Sequence, residues 1–597
     1  MKLIFYNNRN MKKTKKLITS LSSLALTPTA VAPIITSCSS NDSGIDDSTV
    51  KQIKDETVQQ FKDLTVAAPH YSNIGEKGDG HNQKAIKAYY KGLVEGMGLT
   101  WVEQDDGEGY EGNAYFDIPA SNNGKDMKPI ILQGHMDMVY KNVDTSKDKH
   151  DVKIELVDET INGERVIHSK DYKTTIGADD GIGIATMLAL AKNKDKFKHG
   201  LIRCLFTTDE EPGLIGAEHI PHGKDDTDNW FLLDPKNKNS QRIEYLLNLD
   251  NEDLKTLVVA SMGGSNNNVS LNLTNGETTY VTKSTLYPNV KYFTFAATGF
   301  QGGHTGSDYS KGRTNPFTIL VDAIDVVRSN EDMYKTFHLV DISSPNDSVS
   351  NAIPTGGSIT FGVEVNSEKT KEKIETEIRN LQTYEEEVIK NKYPGETSAK
   401  LDFKYLENDK PDNILQTTDS NHIFDFIDHL ACGIFIPESV AGYYTTSNYA
   451  PVTLKINESG STMDFFISIY ARSYNKEILN YLKFTIEDNI GRYYLPYGEE
   501  NIKYDEVAYY DPWYPEPGTN KMEDVVTNAY KQIGISNPEK TLIAGGLELS
   551  WWYAYNDGMH LGTIGPELSD PHDVKESVKV DSIDKVIKMT VYCINNI

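Results

Sequence analysis

The stretch Ile131–Tyr140 constrains the fold more strongly than any other part of this sequence. The apolar run Pro129–Leu132 leads into it and is typical of a buried parallel strand. Gly134 lets the chain turn sharply, and His135 and Asp137 follow where the strand would end. Ligands of open α/β sheets gather beyond the carboxyl ends of the strands. His135 is therefore a candidate metal ligand that Asp137 could orient through the other ring nitrogen; the alternative is a histidine that is hydrogen-bonded within a turn.

Two adjacent acids, Asp179 and Asp180, stand in front of a long apolar run in the stretch Thr174–Leu190. The spacing of that run predicts a buried helix. An acid in the first turn of a helix is favoured by the free N–H groups and by the helix dipole, so capping is one interpretation. The other is a carboxylate that bridges two cations, because two adjacent acids are more than a cap requires.

Two further apolar runs end in acids. Leu201–Thr208 is followed closely by Glu210 and Glu211, and Ile243–Leu249 is followed by Asp250. Three separate strands would thus each deliver an imidazole or a carboxylate at the carboxyl end, where the ligands of such sheets bind. This recurrence favours a metal site over three unrelated turns.

The length of 597 residues exceeds the usual size of a single core and predicts two or three domains. After Asp250, half-exposed strands alternate with helices, which indicates an inserted α+β domain over residues 259–511. Residues 48–258 and 512–597 would then form one α/β domain, whose Gly- and Pro-rich final loops contain His572 as a late candidate ligand. The predicted fold class is α/β with this α+β insertion.

The first residues resemble an export signal rather than part of a fold. Residues 1–37 combine the basic segment Lys12–Lys16 with an interrupted apolar stretch, and Ile35–Cys38 resembles a bacterial lipobox. We expect cleavage before Cys38, lipidation of that cysteine, and a flexible polar tether over residues 38–47. This predicts an anchor to the outer face of the cell membrane; the alternative is an ordinary signal peptide with an incidental cysteine.

The charge balance and the cysteines argue against other classes of protein. With 60 Lys and Arg against 87 Asp and Glu, the formal net charge of −27 speaks against a nucleic-acid partner, because phosphate binding requires a basic surface. After Cys38, only Cys204, Cys432 and Cys593 remain, an odd and widely spaced set that argues against a disulfide framework and a zinc finger. Cys204 lies in an apolar run and is predicted to be a small buried apolar residue.

These motifs, in this order, resemble the aminoacyl-histidine dipeptidase (peptidase D) family of the aminoacylase-like di-zinc peptidase clan. The resemblance implies an α/β catalytic domain with an inserted α+β lid domain, and it extends from near Val50 to the C-terminus. The segments that carry it are Leu132–Val139, Thr174–Gly183, Glu210-Glu211, Asp250, Gly302–Gly306, Asn351–Pro354, Gly545–Glu548 and Ile564–His572.

The resemblance implies two divalent metal ions as cofactors. One ion would be held by His135 and Asp250, the other by Glu211 and His572, and Asp179 would bridge the two. We expect zinc first, with manganese or cobalt as alternatives, because the same ligand types accept all three metals.

The resemblance also assigns the roles around the metal ions. Glu210 would be the general base, and Asp137 would orient His135. Two adjacent acids can divide such work, one binding metal while the other moves protons. The clan further implies a cis peptide bond between Asp179 and Asp180.

In the lid domain, the resemblance implies that His304 polarises the scissile carbonyl. Asn351 and Arg472 would hold the terminal carboxylate or the oxyanion of the peptide, a task that suits a guanidinium. A surface ion pair is the alternative for Arg472. Glu548 is also expected at the substrate, while Ser350 stands where relatives tend to carry Arg, so that one substrate contact would be missing.

The expected activity is hydrolysis of dipeptides, either Xaa-His dipeptides such as β-Ala-His or a broader set. The alternatives are an aminoacylase or small-peptide carboxypeptidase of the same clan, and a substrate-binding lipoprotein without catalysis. The expected partners are the dipeptide and, through lipid, the membrane. A homodimer through the lid domain is one option for the oligomeric state, which the sequence leaves open, as it does whether His304 serves its own subunit or a neighbour.

Overall fold

The computed structural model describes residues 44–597, with the exception of 69, 73–82, 105–111, 145–152, 221–241, 330–333, 366–369, 437–438, 440–441 and 557. The predicted signal peptide and the predicted lipidation site, Cys38, lie outside the described residues. The predicted tether ends earlier than residue 47, because Ile45 is buried in the core and the Asp46 side chain accepts a hydrogen bond from the N–H of Thr49 to cap the first helix.

The helices of the described residues are α1 (Asp47–Ala67), α2 (Gln83–Gly96), α3 (Ala178–Lys192), α4 (Ile215–Glu218), α5 (Pro316–Arg328), α6 (Lys371–Lys392), α7 (Thr417–Asp428), α8 (Lys476–Tyr493), α9 (Lys521–Gln532), α10 (Leu549–Tyr555) and α11 (Val580–Asn596). In this part of the chain, no helix is both long enough and apolar enough to span a membrane.

The strands before residue 262 are β1 (Trp101–Glu103), β2 (Ala114–Ile118), β3 (Ile130–His135), β4 (Leu156–Ile161), β5 (Glu164–Ser169), β6 (Ile202–Thr207), β7 (Tyr245–Asn248) and β8 (Thr256–Ser261). The next group is β9 (Gly263–Thr274), β10 (Val281–Lys283), β11 (Val290–Thr298), β12 (Gly303–His304), β13 (Tyr334–Ser343), β14 (Ala352–Ile353), β15 (Gly357–Val365), β16 (Lys400–Tyr405), β17 (Asn413–Leu415), β18 (Gly433–Ile434), β19 (Thr446–Ile456), β20 (Thr462–Ser473) and β21 (Ile502–Tyr510). The last strands are β22 (Glu539–Ile543), β23 (His560–Thr563), β24 (Leu568–Ser569) and β25 (Ser577–Lys579).

A six-stranded sheet in the order β1-β2-β6-β3-β7-β23 places the three predicted strand ends side by side. The strands β6, β3, β7 and β23 are parallel neighbours, while β2 is antiparallel to β6. His135 pairs with Thr207, and Gln133 pairs with Asn248, so that β3, β6 and β7 end at the same edge. The three apolar runs of the sequence are confirmed as strands, and the structure shows that they are adjacent and parallel.

The helix α3 is buried along nearly its whole length between this sheet and α1. A helix that is apolar on all sides is expected in such a position. The terminal helix α11 packs on α1 and on α9, so that the last residues of the chain complete the core that the first helix begins. Cys204, on β6, is fully buried and free, as predicted.

The inserted residues form the lid domain, whose nine-stranded antiparallel sheet runs in the order β16-β11-β15-β13-β19-β20-β9-β21, with β18 on β19. The helices α5, α6, α7 and α8 contribute apolar side chains to one core with this sheet. The mixed α/β fold with a catalytic and a lid domain is thus the fold that the sequence predicted.

The two connections between the domains lie near β8 and β21. The predicted boundary after residue 258 falls within β8, which pairs in parallel with β22 of the C-terminal segment. The predicted boundary after residue 511 follows directly on β21, the edge strand of the lid sheet. The domain limits themselves stay predictions.

Candidate metal centre

His135, the last residue of β3, is 1% exposed and has both ring nitrogens engaged. Its Nδ1 lies 3.0 Å from the main-chain carbonyl oxygen of Asp137 and 3.4 Å from the Asp137 carboxylate. Because a carbonyl oxygen only accepts, the Nδ1–H group of His135 donates a hydrogen bond to the carbonyl of Asp137. The other nitrogen, Nε2, faces Asp179 Oδ1 at 3.0 Å and Asp250 Oδ1 at 3.5 Å. This tautomer leaves Nε2 available as a metal ligand.

Asp179 stands at the start of α3 and extends its two carboxylate oxygens to two different imidazoles. Oδ1 lies 3.0 Å from His135 Nε2, and Oδ2 lies 2.9 Å from His572 Nε2. The Asp179–Asp180 peptide bond is cis, as expected. The backbone of Asp179 is not yet helical, since its φ and ψ are −87° and 109°. The carboxylate therefore has the position that a bridging ligand needs.

Glu210 and Glu211 follow β6, and the carboxylate of Asp137 holds their turn. The N–H of Glu210 donates to Asp137 Oδ1 at 3.0 Å, and the N–H of Glu211 donates to Oδ2 at 3.2 Å. The hydroxyl of Ser72 donates to the same Oδ2 at 2.8 Å. Asp137 thus orients His135 mainly through its main-chain carbonyl, while its carboxylate positions the two glutamates.

Six side chains of the described residues could hold metal ions, and they form three overlapping groups. Within each group, the ligand atoms lie within 4.8 Å of one another. His135, Asp179 and Glu211 each belong to two of the groups. These groups are His135 with Asp179 and Asp250, Asp179 with Glu211 and His572, and His135 with Glu210 and Glu211. The first two are the ligand sets that the resemblance implies, joined by Asp179. The third group places a carboxylate oxygen of Glu210 within 4.8 Å of ligand atoms of His135 and Glu211.

Burial and like charges perturb the pKa values of these groups strongly. Burial raises the pKa of Glu210 and of Asp250 well above the usual range of a carboxyl group. Burial lowers the pKa of His572, but its hydrogen bonds to Asp179 and Glu211 outweigh this effect and raise it to about 11. The Glu211 Oε2 atom lies 2.9 Å from His572 Nε2.

The residues present fit divalent cations. Four buried or half-buried carboxylates, Asp179, Glu210, Glu211 and Asp250, face only two imidazoles, so that the acidic groups outnumber the basic ones. The buried Oε1 atom of Glu211 has no hydrogen-bond partner among the described residues. Cations compensate such charge and supply the missing partner. Imidazole and carboxylate together suit zinc, and also manganese or cobalt.

Three of the four predicted substrate residues lie together in the lid domain. His304 is in β12, which pairs with β14, the strand that directly follows Asn351. The N–H of Thr305 donates to the carbonyl of Asn351 at 3.2 Å, and the Nε–H of Arg472 donates to the Thr305 hydroxyl at 3.0 Å. Burial and the charge of Arg472 lower the pKa of His304 to about 4, so that this imidazole is neutral at pH 7. Among the described residues, the hydrogen bonds of this lid cluster do not involve the six candidate ligands.

Arg472 is only 4% exposed, so the alternative of a surface ion pair is wrong. Its guanidinium lies over the ring of Tyr470, with 4.4 Å between Cζ and the ring centroid, and donates to the Tyr510 hydroxyl at 3.1 Å. Across the described ranges, no carboxylate lies within ion-pair distance of it. A buried guanidinium with only neutral partners is an incomplete anion site.

Glu548, the fourth predicted substrate residue, is fully buried beneath the strand ends. Its Oε2 accepts hydrogen bonds from Gln133 Nε2 and from the Thr207 hydroxyl, both at 2.9 Å. The indole N–H of Trp552 donates to Gln133 Oε1 at 2.9 Å. The Oε1 atom of Glu548 has no partner in the part of the chain that the structure describes.

The sequence missed residues that support the predicted site residues from behind: Ser72 contacts Asp137, and Gln133 contacts Glu548. Ser72 and Gln133 are polar positions without a distinctive pattern around them. Glu576 lies four residues after His572, the candidate ligand of that segment. No local signal identifies such residues, because their partners are far away in the sequence.

Comparison with known proteins assigns the family. The model of a family described as peptidase family M20/M25/M40 matches residues 131–596. The chain is a member of this family. It is therefore an M20 metallopeptidase, a hydrolase, and members of the family typically bind two metal ions. The matched segment contains all six candidate ligands of the M20 site.

Two relatives of this M20 protein bear on the comparison. It is 25% identical over 507 residues to the cytosol non-specific dipeptidase of Escherichia coli (strain K12), a match that covers 84% of this chain and 91% of the relative. Its structure is similar to the crystal structure of aminoacylhistidine dipeptidase from Vibrio alginolyticus, with a TM-score of 0.66 and 22% identity over 91% of this chain and 96% of the other. The second likeness supports the shared fold.

Proposed function

We propose that this M20 protein hydrolyses dipeptides with the help of two divalent metal ions. The observation that carries the proposal is the carboxylate of Asp179, whose two oxygens contact His135 and His572. One ion would be held by His135, Asp250 and Asp179. The names of the two relatives, a non-specific dipeptidase and an aminoacylhistidine dipeptidase, support dipeptides as the substrate class.

The second ion would be held by Glu211, His572 and the shared Asp179. Two divalent ions held in this way would lower the pKa of water and would stabilise negative charge on the substrate oxygen. Glu210 would then take a proton from the attacking water and deliver it to the leaving amine. Burial raises the pKa of Glu210, and a raised pKa is the direction that favours proton transfer by a carboxylate.

Arg472 would bind the terminal carboxylate of the dipeptide. Its buried guanidinium has neutral partners and lacks an anion in the described part of the chain. His304 would donate a hydrogen bond to the substrate as a neutral imidazole, and Asn351 lies beside it. The Nη1 atom of Arg472 also lies 3.4 Å from the carbonyl of Ala544, in the loop that leads to Glu548. This contact supports a substrate site between the lid cluster and that loop.

An assay with four substrates tests the proposal. The protein, loaded in turn with zinc, manganese and cobalt, is given Ala-His, β-Ala-His, a dipeptide without histidine, and an N-acetyl amino acid. We expect hydrolysis of dipeptides with two bound ions per chain and little activity on the acetylated compound. Preference for the N-acetyl amino acid would identify an aminoacylase instead, and bound dipeptide without cleavage would identify a binding protein.

We further propose that the chain is anchored to the outer face of the cell membrane through lipid on Cys38. The support is the order of basic segment, apolar stretch and lipobox-like Ile35–Cys38. In cells that process lipoproteins, the substitution Cys38→Ala should move the protein from the detergent phase to the medium or leave it uncleaved. Unchanged partitioning into detergent would contradict the anchor.

A further inference from the structure

Glu576 holds the loop that presents Asp179, although the two residues are far apart in the sequence. Its side chain is 2% exposed, and its carboxylate accepts hydrogen bonds from backbone N–H groups only. The donors are those of Ile176 at 2.7 Å and Gly177 at 3.1 Å to Oε2, and those of Ala178 at 2.8 Å and Asp179 at 3.5 Å to Oε1.

This contact lies at the amino-terminal end of α3. The N–H groups of the first turn have no partner within a helix, and the dipole favours negative charge at that end. A buried carboxylate that is satisfied by backbone N–H groups gains charge-assisted hydrogen bonds. No Lys, Arg or His of the described residues forms an ion pair with Glu576. The N–H groups of the loop before α3 are therefore its hydrogen-bond partners.

Glu576 is also tied to His572 by a short and turned segment. The backbone has positive φ at Asp570 (50°) and at His572 (60°), and the N–H of Glu576 donates to the carbonyl of Asp573 at 2.9 Å. One end of this segment thus carries His572, and the other end carries the carboxylate that binds the Asp179 loop. His572 Nε2 and Asp179 Oδ2 meet at 2.9 Å between the two loops.

We propose that Glu576 is a positioning residue that sets the distance between the Asp179 loop and the His572 loop, and thereby the affinity for the ion that Asp179, Glu211 and His572 share. This inference rests on the proposed two-metal function. Glu576 is in none of the three groups of candidate ligands, and both of its oxygens accept from the four N–H groups. Its effect passes through the backbone on which Asp179 stands.

The substitution Glu576→Gln is the sharpest test. The amide keeps the shape of the side chain, but its NH₂ group would face two N–H donors where an oxygen now accepts them. Glu576→Asp keeps the charge and both oxygens and shortens the reach by one methylene group. It serves as the second variant should the first not fold.

Glu567→Gln is the matched control. Glu567 lies in the same C-terminal segment and loses the same charge, but its carboxylate contacts Lys255 at 3.0 Å and Lys579 at 2.7 Å. Neither contact involves the Asp179 loop. This control separates a general effect of a lost carboxylate from an effect on the candidate metal centre.

The first measurement is a titration of the metal-free full chain with zinc or manganese, in which calorimetry monitors the binding. We expect two ions in the unsubstituted protein and in Glu567→Gln. In both Glu576 variants, one of the two ions should bind about 10–100-fold more weakly, the usual effect of losing a residue that supports a ligand. The second measurement is hydrogen exchange of the metal-free protein, in which the amides of residues 176–179 should lose protection in Glu576→Gln but not in the control.

Different outcomes separate the inference from the proposed function. If the unsubstituted chain bound no divalent ions, both would be wrong. If it bound two ions and both Glu576 variants did so with unchanged affinity, the inference alone would be overturned, even if the variants unfolded at a lower temperature. Wild-type affinity in Glu576→Asp with weak binding in Glu576→Gln would show that charge rather than position matters, and would also overturn it.

Discussion

Asp137 shows how a single residue serves several neighbours at the residue scale. Its carbonyl accepts the Nδ1–H of His135, while its carboxylate accepts the N–H groups of Glu210 and Glu211. The resemblance implied only the first role. The same carboxylate explains why two adjacent glutamates can have different tasks, because it fixes the turn on which both stand.

The two glutamates should respond differently to loss of charge. In Glu210→Gln, the bound metal should remain near two ions per chain, while turnover should fall by about 10²–10⁴-fold, as expected for loss of a general base. In Glu211→Gln, one ion should bind more weakly, and activity should partly return with excess metal. Metal content by atomic spectroscopy, together with dipeptide turnover, checks both variants. Loss of metal in Glu210→Gln at an unchanged rate per bound ion would reverse the roles.

Glu548 should make the metal-free protein sensitive to pH. Burial raises its pKa from 4.5 to about 7. The folded state therefore holds a proton that the unfolded state releases, and the stability that depends on this group falls as the pH rises from about 5 to 8. Glu548→Gln removes the titration and lets the amide oxygen accept from Gln133 and Thr207.

The measured quantity is the free energy of unfolding of Glu548→Gln minus that of the unsubstituted protein. This difference should be larger at pH 8 than at pH 5 by up to about 3 kcal/mol. Chemical denaturation in the presence of a chelator measures the difference. A difference that is equal at the two pH values would contradict the assigned shift.

At the scale of elements, the centre depends on the close approach of β3 and the start of α3. A Cβ atom on Gly134 would clash with Asp180 Oδ2, so that only glycine lets the two elements meet. Asp180 in turn accepts the N–H of Gly183 at 3.1 Å within α3. The predicted sharp turn at Gly134 is wrong, since this residue lies within β3 and pairs with Phe206. The packing against Asp180, rather than a turn, accounts for the glycine.

Gly134→Ala should destabilise the protein by about 1–3 kcal/mol, as is typical of overpacking. It should also weaken metal binding, because Asp180 would push Asp179 away from its partners. Gly92→Ala is the matched control, since Gly92 is in α2, is exposed, and has open space around an added Cβ. That substitution should be neutral or stabilising by up to about 1 kcal/mol. Thermal unfolding of both variants gives the comparison, and equal melting temperatures would contradict it.

At the scale of the whole molecule, the two largest apolar clusters of the described residues divide the chain. One core uses residues from 45–257 and 522–594, and the other uses residues from 269–497. All six candidate ligands lie in the residue ranges of the first core, while the lid cluster around Arg472 lies in the range of the second core. Catalysis as proposed requires both, but metal binding requires only one.

Metal removal should therefore affect the two cores unequally. Calorimetry of the protein in the presence of a chelator should show two unfolding transitions. When zinc or manganese is added, only the transition of the catalytic domain should move to higher temperature. Each ion stabilises by about 2.7 kcal/mol when its concentration is 100 times the Kd. The lid transition is the internal control. An equal shift of both transitions would contradict independent cores.

The sequence by itself determined the local parts of this protein. The apolar runs that end at His135, before Glu210 and before Asp250 predict three strands, and the run after Asp179 predicts a buried helix; the structure contains all four. Periodicity and turn residues encode such elements within a few positions, so they can be recognised without a partner. The order of the motifs then indicated the family and the candidate ligands.

The tertiary structure decided everything that depends on distant contacts. The burial of Glu548, the neutral surroundings of Arg472, and the hold of Glu576 on the Asp179 loop each join residues that are separated by more than a hundred positions. A carboxylate on the surface and a carboxylate beneath a sheet have the same local sequence signal. Their difference arises from the order of strands in the sheet and from the return of the C-terminal segment to the first domain, because burial and hydrogen-bond partners are properties of the packed chain.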